Sequence, residues 1–113
     1  MDSTRQQKIA RLIQRDIAEI LQKDMADITR GKLVTVTAAR VSPDLGYAKI
    51  YISVFPFEHS QELLAKIKEE GWLIRKILGS RIRNQLKIVP ELEFFIDDSL
   101  EYIENIDNLL HKS

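Results

Sequence analysis

The sequence contains no cysteine. Disulfide staples, thiolate nucleophiles and cysteine-bearing zinc sites are therefore excluded. Histidine is scarce too: His59 and His111 are far apart in the chain, so no metal site is expected. Glycine occurs only at 31, 46, 71 and 79. No Gly-x-Ser-x-Gly elbow, phosphate-binding loop or Gly-x-Gly-x-x-Gly turn can be built from those positions. No apolar run approaches the roughly 18 residues of a membrane span. The opening Met1-Asp2-Ser3-Thr4-Arg5-Gln6-Gln7-Lys8 has no apolar stretch of the secretory kind. A cytoplasmic protein with no membrane partner and no cofactor is the expectation.

What is present suits one soluble domain, expected to span 1–113. The 113 residues are 44% hydrophobic and 30% charged, enough for one core without staples. Net charge is zero, but unevenly spread. Residues 1–89 hold 16 Lys+Arg against 10 Asp+Glu, and residues 90–113 hold seven acids against Lys112 alone. Such asymmetry points to a polyanion partner for the basic part, or to a body and tail that attract each other.

Residues 4–23 read as an amphipathic helix. Ile9, Leu12, Ile13, Ile17, Ile20 and Leu21 form one stripe, and Ser3 or Thr4 can cap its start. Asp24 to Lys32 reads as a polar linker. Residues 33–37 and 48–54 read as two strands of a hairpin, joined through Ser42-Pro43-Asp44-Leu45-Gly46. Pro43 presets the turn, and Gly46 is expected to take the positive φ. Residues 60–84 read as helix, capped by Ser60 and flawed at Gly71, with Gly79 a second weak point. Residues 87–97 read as a third strand with Pro90 at its start or on an edge. A short acidic helix, with Leu100, Ile103, Ile106, Leu109 and Leu110 on one side, is expected over 99–113 as an extension.

Two groups of residues could carry chemistry. Asp97-Asp98 is a carboxylate pair at a strand end, which a small hydrolase could use; strand exit plus helix cap explains it better. No enzyme is expected. The second group is basic. Lys66, Lys68, Arg75, Lys76, Arg81, Arg83 and Lys87 are opposed between 66 and 87 only by Glu69 and Glu70, a net of +5. On a continuous helix Lys68, Trp72, Arg75 and Lys76 share adjoining faces, away from Ile67, Ile74 and Leu78. RNA binding uses that combination: cations meet phosphate, and aromatic planes stack on unpaired bases. A basic helix can equally be a solvated face, and Trp72 beside a glycine is expected to turn toward the core. Arg5, Lys8, Arg11 and Arg15 either extend the basic face or pair with Asp16 and Glu19.

The order helix-strand-strand-helix-break-helix-strand resembles the type II KH domain, an α+β RNA-binding fold with a three-stranded sheet. Its usual Gly-x-x-Gly backbone clamp is missing, because no two glycines here lie three apart. Val41-Ser42-Pro43-Asp44-Leu45-Gly46-Tyr47-Ala48-Lys49-Ile50-Tyr51-Ile52-Ser53-Val54 resembles the hairpin of bacterial ribosome-binding factor A, which lacks that clamp. Ile74-Arg75-Lys76-Ile77-Leu78-Gly79 and Val89-Pro90-Glu91-Leu92-Glu93-Phe94-Phe95-Ile96-Asp97-Asp98-Ser99-Leu100 resemble its second-helix segment and its third strand with the exit that follows. The family breaks its central helices at an Ala-x-Gly motif; Glu69-Glu70-Gly71-Trp72 stands there in this chain, making Gly71 the expected break.

The resemblance implies a non-catalytic factor, acting as a monomer. It would bind free small (30S) ribosomal subunits and 16S rRNA and assist late maturation and precursor processing. The expected RNA-binding residues are Lys68, Trp72, Arg75, Lys76, Arg81, Arg83 and Lys87, with Arg5, Lys8 and Arg11 from the first helix. The alternative is a protein-interaction adaptor that docks a ribosomal protein through the acidic C-terminal helix.

Overall fold

In the computed structural model, which describes residues 3–97, the chain runs α1 (Thr4–Lys23), α2 (Ala26–Thr29), β1 (Leu33–Val41), β2 (Tyr47–Phe55), α3 (Ser60–Glu69), α4 (Gly71–Ile82) and β3 (Glu91–Ile96). The helix expected over 99–113 lies outside the described residues. α1 begins with a reciprocal cap. The Ser3 hydroxyl accepts the Gln6 N–H at 3.1 Å, and the Gln6 side-chain oxygen accepts the Ser3 N–H at 2.9 Å. The expected polar linker contains a short helix instead. Met25 is buried at its start, and Thr29 donates its hydroxyl to the Leu21 and Met25 carbonyls at 3.3 Å each.

The sheet has the order β1-β2-β3, with β1 antiparallel and β3 parallel to β2. Parallel neighbours need a crossover, and α3 with α4 supplies it. The inward rows are set by register: Val36 faces Ile52, Ala39 faces Ile50, Ile50 faces Phe94 and Ala48 faces Leu92. α1 packs on β1 and α4, while α3 packs on β2 and β3. Ile13, Ile17, Ile67, Ile74, Leu78, Ile50 and Ile52 are fully buried between these layers. Each such side chain contributes about 1.5–3 kcal/mol on leaving water. On the opposite sheet face the Tyr51 and Phe95 rings stack with centroids 5.4 Å apart.

Four local expectations are corrected. β1 runs past Thr37 to Val41, through an irregularity between Val36 and Ala38 that resets which residues point inward. In the hairpin turn Leu45, not Gly46, takes the positive φ, at 62°. The turn holds because the Leu45 N–H reaches the Ser42 carbonyl at 2.9 Å, while Asp44 accepts from the Ser42 hydroxyl at 2.6 Å and the Gly46 N–H at 3.0 Å. Ser60 is the first residue of α3 rather than its cap, and its hydroxyl donates to the Phe57 carbonyl at 2.7 Å. β3 starts only at Glu91, whose N–H pairs with the Gly46 carbonyl at 2.9 Å, so Lys87 and Ile88 lie in the preceding loop. Pro90 has no N–H to offer the ladder.

Candidate nucleic-acid interface

The central helices break at one residue. α3 ends at Glu69, Glu70 sits at φ −93° and ψ 9°, and Gly71 opens α4. The junction is too short to form a clamping loop, but it turns Trp72 outward. Trp72 is 67% exposed, against the expectation that it packs inward. Lys68, Gly71, Trp72 and Arg75 line a shallow groove with Glu91 and Leu92; Trp72, Arg75 and Lys76 line a second with Gly79 and Val89. The four residues expected on adjoining faces are therefore brought together. An exposed indole flanked by two lysines can stack a base while the ammonium groups meet phosphate.

Arg75 differs from those lysines. Its Nε donates to the Pro90 carbonyl at 3.1 Å, and its Nη2 to the Val89 carbonyl at 2.7 Å. It ties α4 to the segment that feeds β3. Gly79 serves the same contact: a Cβ there would meet Val89 Cγ2 at 2.8 Å. The two helix glycines thus have different reasons, since a Cβ at Gly71 would meet nothing within 4 Å.

Arg81 is also engaged. Its Nη1 lies 2.6 Å from Glu19 Oε2 and 3.4 Å from Asp16 Oδ1. Asp16 sits on the inner side of α1 with its side chain only 7% exposed, and Arg15 Nε approaches it at 3.7 Å. The Arg81 hydrogen bond holds the Glu19 carboxyl below its ordinary range, and Glu19 in turn raises the Arg81 guanidinium. These three residues join α1 to α4.

The remaining candidates are elsewhere. Arg5, Arg83 and Lys87 line a separate cleft beyond the C-terminal end of α4. Lys8 and Arg11 are exposed on the next turns of α1 after Arg5. The expected face is therefore two patches, one around Trp72 and one around Arg83, with the Arg81 ion pairs on the same helix between them. Sequence reasoning misses the half-buried Leu45 and the exposed Ile88 as apolar lining of the second patch. It places Ile88 in a strand, and Pro90 is the available sign that the strand starts later.

The architecture and these patches define a small KH-like α+β domain, helices on one sheet face and a broken central helix bearing cations and an exposed tryptophan. The family model for ribosome-binding factor A matches residues 5–110. The chain is 47% identical over 111 residues to the ribosome-binding factor A of Flavobacterium psychrophilum, covering 97% of this chain and 85% of that protein. The chain belongs to the ribosome-binding factor A family. Among solved structures, the crystal structure of ribosome-binding factor A from Thermus thermophilus shares the fold, with a TM-score of 0.69 at 22% identity over 80% of this chain and 94% of that one. A Thermus thermophilus homology model fitted into the cryo-EM map of a 30S complex gives 0.62 at 26% identity, over 77% and 89% of the two chains.

Proposed function

We propose that this protein is a non-catalytic ribosome biogenesis factor that binds free small (30S) ribosomal subunits through 16S rRNA and assists late maturation and precursor rRNA processing. Membership of the family supports the reading, as does the 30S complex of the Thermus relative. The observation that carries it for this chain is the exposed Trp72 with Lys68 and Lys76 on either side, over two open grooves. Phosphate contacts from such cations position a domain without reading sequence, and the indole adds an unpaired base. The mechanism is holding: the domain keeps an rRNA region in one conformation while the particle matures. The single-residue junction at Glu70 favours a folded RNA surface over a clamped strand.

Co-sedimentation of the full chain with purified small subunits tests this. The triple variant Lys68→Glu, Trp72→Ala and Lys76→Glu changes only exposed side chains, so its far-UV spectrum should match that of the parent. Its binding should fall by about tenfold or more, as expected for lost phosphate and stacking contacts. Undiminished co-sedimentation would remove the Trp72 face from the interface.

A further inference from the structure

We propose that the cleft beyond the C-terminal end of α4 is a subsite for one unpaired ribonucleotide, its phosphate held by Arg5, Arg83 and Lys87 and its base lying against Leu45 and Ile88. This rests on the RNA-binding reading and adds a second, chemically distinct contact to it. The cleft has a volume of about 550 Å³. That lies within the roughly 300–1,000 Å³ of small-ligand sites. Three parts of the fold build it: the first turn of α1, the β1–β2 turn, and the 83–88 segment after α4.

The charges favour one phosphate. Arg75 and Arg81 are consumed by internal partners, but no described residue forms an ion pair or hydrogen bond with the charged ends of Arg5, Arg83 or Lys87. Among the described residues, Asp44 is the one carboxylate lining the cleft. Its Oδ1 already accepts from the Ser42 hydroxyl and the Gly46 N–H, and these bonds keep it ionised. Among the described residues, three cations against one fixed anion leave a surplus suited to a single phosphodiester, not to a run of them.

The apolar wall points to a base. Ile88 is 73% exposed, the most exposed large hydrophobic residue described. Leu45 lines the same cleft from a left-handed backbone conformation that leucine rarely adopts. Beside them Asn84 and Gln85 carry carboxamides, which both donate and accept and so suit base edges. Paired bases inside a duplex keep their faces stacked, whereas an unpaired base offers its face to Ile88 and Leu45.

The test is an amide NMR titration of the full chain with three probes: single-stranded hexauridylate, a blunt RNA duplex and inorganic phosphate. Hexauridylate should shift Leu45, Gly46 and residues 83–88 saturably, and the double variant Arg83→Ala, Lys87→Ala should weaken this by about tenfold or more. Ile88→Ala should weaken hexauridylate and leave phosphate unchanged. Equal affinity for phosphate and hexauridylate overturns the nucleotide assignment, as does equal response to the duplex. Absence of shifts in the cleft overturns the subsite altogether. Co-sedimentation with small subunits in parallel separates the two readings: retained subunit binding with a silent cleft sinks this inference alone, while a responsive cleft without subunit binding sinks the ribosomal reading.

Discussion

Gly71 and Gly79 lie in one helix and answer to different constraints. A methyl group at Gly79 collides with Val89 at 2.8 Å, whereas one at Gly71 meets open space. Gly79→Ala should therefore destabilise the domain by about 1–3 kcal/mol through overpacking. Gly71→Ala should be neutral or stabilising by up to about 1 kcal/mol, since alanine is the better helix former. Urea unfolding of both variants checks the contrast; equal losses would refute it. At this scale the sequence is only partly legible. Gly71 marks the helix break, and composition singles out every cation of both patches. Pairing is not legible: Arg81 finds Asp16 and Glu19 at separations of 65 and 62 residues, and Arg75 reaches two successive carbonyls 14 and 15 residues on. Nor is the exposure of Trp72, which depends on a break one residue long.

Elements are legible where one physical signal governs them. α1 has an uninterrupted apolar period and a serine–glutamine capping box, and its bounds match the expectation at both ends. β1 is half legible because the extra residue at Thr37 breaks the alternation on which strand reading depends. α2 escapes notice because Met25 and Ile28 are isolated apolar residues in a polar stretch. The join between α1 and α4 through Arg81 carries a prediction of its own. Arg81→Met should cost about 1–2 kcal/mol, because it leaves Asp16 without its cross-helix partner; the value stays low since Arg81 is itself 29% exposed. The acid response has a defined sign. Glu19 and Asp44 both titrate lower in the folded chain than in the unfolded one. Their contribution is complete above the ordinary carboxylate range and is lost as pH falls through the folded values. Urea midpoints from about pH 6 down to about pH 2 should therefore fall, and fall less steeply in Arg81→Met. A steeper fall in that variant would contradict the assignment.

For the whole molecule, zero net charge hides a division of labour among cations. Lys68, Lys76, Arg5, Arg83 and Lys87 face outward without ion-pair partners among the described residues, while Arg75 and Arg81 hold elements together. On the proposed contacts, one phosphate each at Lys68 and Lys76 and one shared by Arg5, Arg83 and Lys87, log Kobs for single-stranded RNA should fall with log salt at a slope of about −2.1. Lys76→Ala should reduce the slope by about 0.7, and Arg81→Met should leave it unchanged. Filter binding across salt concentrations checks both, and a change in slope for Arg81→Met would return that residue to the interface. The type of fold is legible from element order and from three stretches of family likeness; the separation of the basic face into two patches is not. One further property follows from α1. Gln6 and Gln14 donate their side-chain amides to the Val41 and Val36 carbonyls of β1 at 3.0 and 3.1 Å, and β1 is one of the two outer strands of the sheet. An outer strand with vacant carbonyls is a template on which a foreign strand can polymerise. With two of those acceptors occupied from within its own chain, the β1 edge offers a foreign strand a shortened template.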